Sequence, residues 1–150
     1  MDMGFSEEDH RLWRLFLSAS THLLERLDHE LQQRSQLSLT DFDILSMLSG
    51  APSNRLRMSE LAEQVLVSRS RLTYRVDRLA ELDYVTRQEC EDDRRGLFAI
   101  LTDNGAKALA AAAPGHVGDI RDLLWSLVKP EERAGLTEVL ARVDGNLSTY

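Results

Sequence analysis

The chain of 150 residues has a single cysteine, Cys90, so neither an intramolecular disulfide nor a multi-cysteine zinc site can be built within it. No apolar run approaches the roughly 18 residues that a membrane-spanning helix needs. Aromatic residues make up 6% of the total, too few for a cofactor stacked on many rings. Positive charge is in the minority: 18 Lys plus Arg stand against 25 Asp plus Glu, and a net charge of −7 excludes a protein that coats nucleic acid by bulk charge. Met1-Asp2-Met3-Gly4 is soon followed by acids and has neither the basic nor the apolar region of a signal peptide. Internal repeats and low-complexity linkers are lacking. With 43% apolar and 29% charged residues, the expectation is one soluble, cytoplasmic domain over 1–150 with an ordinary hydrophobic core and no membrane partner.

The scarce positive charge is unevenly placed. Residues 55–96 hold nine arginines and nine acids, so the rest of the chain carries the whole net charge. Within that neutral insert, "SRSRLTYRVDRL" (68–79) has Arg69, Arg71, Arg75 and Arg78 against one acid, Asp77.

Periodicity and capping signals predict a mainly α chain. Ser6 with Asp9 opens a helix to about Gln33. Its apolar positions, including Leu12, Phe16, Leu17, Leu23, Leu24 and Leu27, form a stripe too wide for one neighbour, which leaves a face for a partner chain. Thr40 with Asp43 reads as a second capping box, for a helix ending at Gly50. Ser59 caps a short helix to Val65 and Ser68 caps another over 69–82; only about three residues separate the two, a helix-turn-helix arrangement. Val85–Cys90 and Leu97–Leu101 read as strands joined by the polar "EDDRRG". Thr102 caps an Ala-rich helix with a kink expected at Pro114-Gly115. Pro130 suits the first turn of a last helix.

On a wheel for 69–82, Leu72, Val76 and Leu79 gather on one side. Ser70, Arg71, Tyr74, Asp77 and Arg78 face away, with Thr73 and Arg75 at the edges. Surface helices usually settle charge at i,i+3 or i,i+4. Arg78 has Glu81 there; Arg71 and Arg75 have no acid at those spacings and oppose each other. Their counter-charge has to come from elsewhere, and duplex phosphate supplies it, while arginine also matches guanine edges in the major groove. Ser70, Thr73 and Tyr74 can reach phosphates or bases, and Ser68 and Arg69 at the helix start are counted with them as DNA contacts. Arg94 and Arg95 at the hairpin are suited to a flanking minor groove, with Asp93 bracing a guanidinium.

At this point the sequence resembles the MarR family of bacterial transcription regulators. The match runs from "MSELAEQVLVSRSRLTYRVDRLAELDYVTR" through "DDRRGLFAILTDNG", where Asp93, Arg95, Leu101, Thr102 and Gly105 fit the family's wing signature. The resemblance implies a homodimeric winged helix-turn-helix repressor on a palindromic DNA operator. Helices in 1–36 and 103–150 would interlock two chains, and 37–102 would form the DNA-binding region. Arg95 takes the place of the family's wing arginine, Asp93 that of its bracing acid, and Ser68 to Thr73 the start of the recognition helix. Where the family usually has glycine after that helix, this chain has Asp83. Many members respond to a small phenolic or aromatic acid effector, and Trp13 and Asp43 stand where one urate-responsive branch has a tryptophan and an aspartate.

No nucleophile–base set or paired-carboxylate motif marks an enzyme. Cys90 lies in a strand and reads as an inert small residue. His22, Glu25 and His29 share a helical face without a further ligand in sequence, so neither metal nor cofactor is expected. A protein-binding module using the acidic exterior is the rival class, separable from a regulator by salt-dependent DNA binding.

Overall fold

The computed structural model describes residues 4–65, 67–90 and 93–147; the side chains of 93–95 lie outside that description. The chain divides into two compact units, Met1–His116 and Val117–Tyr150.

The first unit begins with α1 (Glu7–Ser35), whose N-terminus is closed reciprocally by Ser6 and Asp9 as the sequence predicts. Of its apolar stripe only Leu27 and Leu31 are buried; Leu12, Trp13, Phe16 and Leu24 are each more than half exposed. α2 spans Leu39–Gly50, and its cap corrects the sequence reading. Ser38 and Asp41 form the box, the Asp41 amide donating to Ser38 Oγ at 3.1 Å and the Ser38 amide to Asp41 Oδ2 at 2.9 Å. Thr40 and Asp43 lie inside the helix. Two overlapping cap signals compete here. The earlier one puts Leu37 and Phe42 at the positions of a hydrophobic staple, and both are buried in the core.

A third strand went unread. β1 (Arg55–Arg57) pairs antiparallel with β3 (Asp93–Leu101), which pairs with β2 (Val85–Cys90), giving the order β1-β3-β2. The pairing of Arg57 with Phe98 carries the chain directly into α3 (Met58–Val65). The start of α3 is therefore closed by the Arg57 amide donating to Glu60 Oε2 at 3.0 Å, and Ser59, predicted as the cap, sits in the first turn. α4 spans Arg69–Glu81, capped by Ser68 as predicted. β3 begins four residues earlier than the predicted Leu97, and the ladder is irregular between Glu89 and Cys90.

Leu45 and Leu48 of α2, Leu61 of α3, and Leu72, Val76 and Leu79 of α4 are at most 1% exposed and form the centre of the core. Each such side chain contributes about 1.5–3 kcal/mol by leaving water. They fix which face of α4 points inward, and hence which residues point out.

The joint between α4 and β2 turns at Asp83, whose φ of 59° is left-handed. An Asp tolerates this better than most residues. Two bonds hold it: the Thr102 hydroxyl donates to Asp83 O at 2.6 Å, and Asn104 Nδ2 to Asp83 Oδ2 at 2.7 Å. Thr102 also caps α5 (Asp103–Ile120), accepting from the Gly105 amide at 3.0 Å.

α5 runs through Pro114 to Ile120, and the departure from regular helix comes after it, in a π turn over Arg121–Trp125. In the second unit α6 (Pro130–Leu147) starts at Pro130 as predicted. The Arg133 guanidinium lies 5.8 Å from the Trp125 ring and donates to Trp125 O at 3.3 Å. No described residue of 117–147 is buried; Leu127, Val139, Leu140, Val143 and Leu147 are all exposed. Among the described residues no helix is long and apolar enough to cross a membrane.

Candidate nucleic-acid interface

Arg69 is exposed in the first turn of α4, and because Leu72, Val76 and Leu79 are buried the helix presents Ser70, Arg71, Thr73, Tyr74, Asp77 and Arg78 to solvent, with Arg75 half-buried at the edge. This is the face the wheel predicts. Ser68 Oγ accepts from the Arg71 amide at 3.3 Å and lies 3.3 Å from Ser70 Oγ. Thr73 Oγ1 donates back to Arg69 O at 2.9 Å. The Tyr74 ring is 59% exposed, with the Arg75 guanidinium 5.8 Å from its centroid.

The arginines of this face divide by partner. Arg78 pairs with Glu81 at 3.1 Å, as its spacing implies. The expectation that Arg75 lacks a counter-charge within the protein is overturned, since Asp41 Oδ2 of α2 lies 3.5 Å from its Nη1. Spacing along one helix misses this acid because α2 brings it in from elsewhere. Asp41 is buried and its Oδ1 has no hydrogen-bond partner. Arg69 and Arg71 make no ion pair among the described residues, and both are exposed.

Sequence reasoning also missed Arg87. From β2 its Nη1 reaches Asp77 Oδ1 at 2.8 Å, and its Nη2 donates to Thr73 O at 3.3 Å. On β1, Arg55 and Arg57 stand over the Phe98 ring at 4.7 and 5.6 Å. The alternation of strand residues places them on one face, but β1 itself is too short to announce that. For the wing, the sequence places Arg94 and Arg95 at the hairpin tip, whereas the backbone of Asp93, Arg94 and Arg95 belongs to β3. Their side chains fall outside the described residues.

The two effector candidates have separate neighbours. Trp13 stacks on Phe16 at 6.1 Å on the exposed part of α1. Asp43 is half-buried on α2; burial pushes its carboxyl pKa up, and the opposing charge of His116 on α5 pulls it down. His116 is itself buried, its ring 4.4 Å from that of Phe42. Cys90 is buried and free. His22 meets Ser18 Oγ at 3.5 Å, and no described group of His, Cys, Asp and Glu is arranged to hold a metal ion.

Comparison with known proteins bears on this arrangement. A model described as the MarR family matches residues 35–96, the stretch from the end of α1 into β3. The HTH-type transcriptional regulator PecS of Dickeya dadantii is 33% identical over 87% of this chain and 79% of its own length. Sco3205, a MarR family transcriptional regulator from Streptomyces coelicolor solved in complex with DNA, superposes with a TM-score of 0.92 at 37% identity, over 95% of this chain and 90% of that one. AbsC, of the same family and organism, gives 0.91 at 33% identity, over 97% and 98%. The chain belongs to the MarR family, and it is a DNA-binding transcriptional regulator with a winged helix-turn-helix fold.

Proposed function

We propose that the chain is a ligand-responsive repressor that binds a palindromic operator as a homodimer. The observation that carries the DNA-reading role is the pair Arg69 and Arg71, both exposed in the first turn of α4 and without a carboxylate partner among the described residues. Two guanidinium groups at the N-terminal end of a protruding helix suit the major groove, where arginine meets guanine O6 and N7 bidentately. Arg71 reads bases. Ser68, Arg69, Ser70, Thr73 and Tyr74 contact phosphates or adjacent edges. Arg78 shares its charge with Glu81, and Arg75 reaches DNA only by leaving Asp41. Arg95, with Arg94 beside it and Asp93 bracing it, enters the flanking minor groove.

Dimerisation is supported by the apolar residues that one chain leaves in water. Leu12 at 67%, Trp13 at 52% and Leu147 at 64% exposure belong to the terminal helices, Leu127 at 76% to the turn before α6, and such surface marks an interface. Two recognition helices related by a two-fold axis would meet half-sites about one helical turn apart. The effector, a small phenolic or aromatic acid, would use Trp13 as a stacking surface and Asp43 as a half-buried carboxyl group.

The test is titration of the protein with duplexes it selects from a random-sequence pool, over a range of salt. Specific binding should weaken steeply with salt. Arg71→Ala should remove about 1–3 kcal/mol from the selected sequence and less from a scrambled one. An equal loss on both would make Arg71 a phosphate contact and refute its reading role.

A further inference from the structure

Asp77 is an acid on a face that otherwise collects arginine, and simple electrostatics would remove it from a surface that approaches phosphate. Its partner explains its presence. Arg87, on β2, extends both terminal nitrogens of its guanidinium to α4: Nη1 to Asp77 Oδ1 at 2.8 Å and Nη2 to the Thr73 carbonyl at 3.3 Å. Thr73 and Asp77 are four residues apart, so one planar group spans one full turn of the helix. The Arg87 side chain is 28% exposed and its Nε is buried, so it is aimed at α4 rather than at solution.

α4 and the sheet also meet through apolar residues such as Val76, Leu79 and Val85. Apolar burial is non-directional and sets the separation of the elements better than the rotation of the helix about its axis. Rotation matters here. Turning α4 by about 10° shifts the tip of a long outer side chain by roughly 1–2 Å, enough to spoil a bidentate contact to a base. A rigid guanidinium fork on two acceptors one turn apart fixes that rotation.

We propose that Arg87 is a positioning residue: it locks the rotation of the recognition helix against the first strand of the wing, and Asp77 is the anchor for that lock. Arg87 does not contact DNA. The inference rests on α4 being the DNA-reading helix, so its test carries Arg71→Ala as a control for that premise.

Binding of the full-length protein to a duplex selected from a random-sequence pool separates the lock from plain charge. If charge alone acts, Asp77→Asn tightens binding, Arg87→Gln weakens it, Arg87→Lys resembles the wild type, and the effects add. If the lock acts, Asp77→Asn weakens binding by up to about fivefold per subunit, the range of an exposed ion pair. Arg87→Gln then does the same, and the double variant is no worse than either single one. Arg87→Lys also loses affinity, because a point charge cannot span both acceptors. Asp77 is exposed, so Asp77→Asn should keep the wild-type thermal midpoint and molecular mass. Tighter or unchanged binding by Asp77→Asn, or additive losses, overturns the lock. Weaker binding by Arg71→Ala together with tighter binding by Asp77→Asn refutes the lock while leaving the DNA-reading role of α4 in place. No effect of Arg71→Ala removes both.

Discussion

Gly105→Ala should destabilise the protein although it removes a glycine from a helix. A Cβ at position 105 would stand 2.1 Å from the Tyr84 carbonyl oxygen and 2.8 Å from Leu101 Cδ1. Ordinary contact begins near 3.4 Å, so the backbone of the turn after α4 has to retreat by more than an ångström. That oxygen is not free to move. It accepts from the Thr102 amide at 3.1 Å, and Thr102 in turn holds Asp83 and caps α5. Overpacking of this kind costs about 1–3 kcal/mol, and a broken backbone bond adds about 1 kcal/mol. Alanine returns up to about 1 kcal/mol in helix propensity, less in a first turn. The balance is about 2–3 kcal/mol of lost stability, or roughly 4–12 °C in the thermal midpoint for a chain of this size. Urea and thermal unfolding at one fixed protein concentration would measure it, since a dimer's midpoint depends on concentration. A variant as stable as the wild type would mean that α5 and the Tyr84 turn do not approach this closely.

Light scattering at micromolar concentration should give about twice the 17.0 kDa chain mass, and a clean monomer that still binds DNA tightly would refute the dimer. Arg95→Ala should weaken DNA binding most on A·T-rich flanks while leaving fold and mass unchanged; Asp93→Ala should also weaken it, and tighter binding would show that Asp93 only repels. Asp43→Asn should raise stability at neutral pH. Burial raises the folded-state pKa of Asp43, so the wild type loses stability as pH rises through that pKa, whereas below the unfolded carboxyl value both states are protonated and the advantage of the variant disappears. A variant less stable at neutral pH would mean that the charge opposite His116 outweighs the burial.

What was legible in the sequence was what periodicity encodes. The inward Leu72, Val76 and Leu79 determined the outward face of α4, and the Ser6, Ser68 and Thr102 caps were found because their partners lie three residues away. Two kinds of feature escaped. Local signals that compete were misjudged: Ser38 and Thr40 each begin a capping pattern, and the choice depends on the burial of Leu37, a tertiary fact. β1 has three residues, too few to show an alternation, and exists because β3 offers it an edge. The second kind is pairing between distant segments. Asp41 with Arg75 and Asp77 with Arg87 involve ordinary residue types at separations that no helical spacing predicts.

Those pairings change how the arginine cluster works. Read along the helix, it is a stretch of excess positive charge whose attraction to phosphate would be general. Read in three dimensions, acids on two elements, α2 and α4, sort it. Asp41 of α2 takes Arg75, Glu81 at the end of α4 takes Arg78, and Asp77 receives Arg87 from the wing. Arg69 and Arg71 remain as the exposed cations of α4 with no acid partner among the described residues, both at its N-terminal end, where a helix entering a groove meets base edges first. Each pairing lowers non-specific attraction and holds a side chain or the helix in one orientation. An acidic protein can therefore bind DNA selectively: its acids neutralise the arginines that would hold any duplex and leave free those placed to read one.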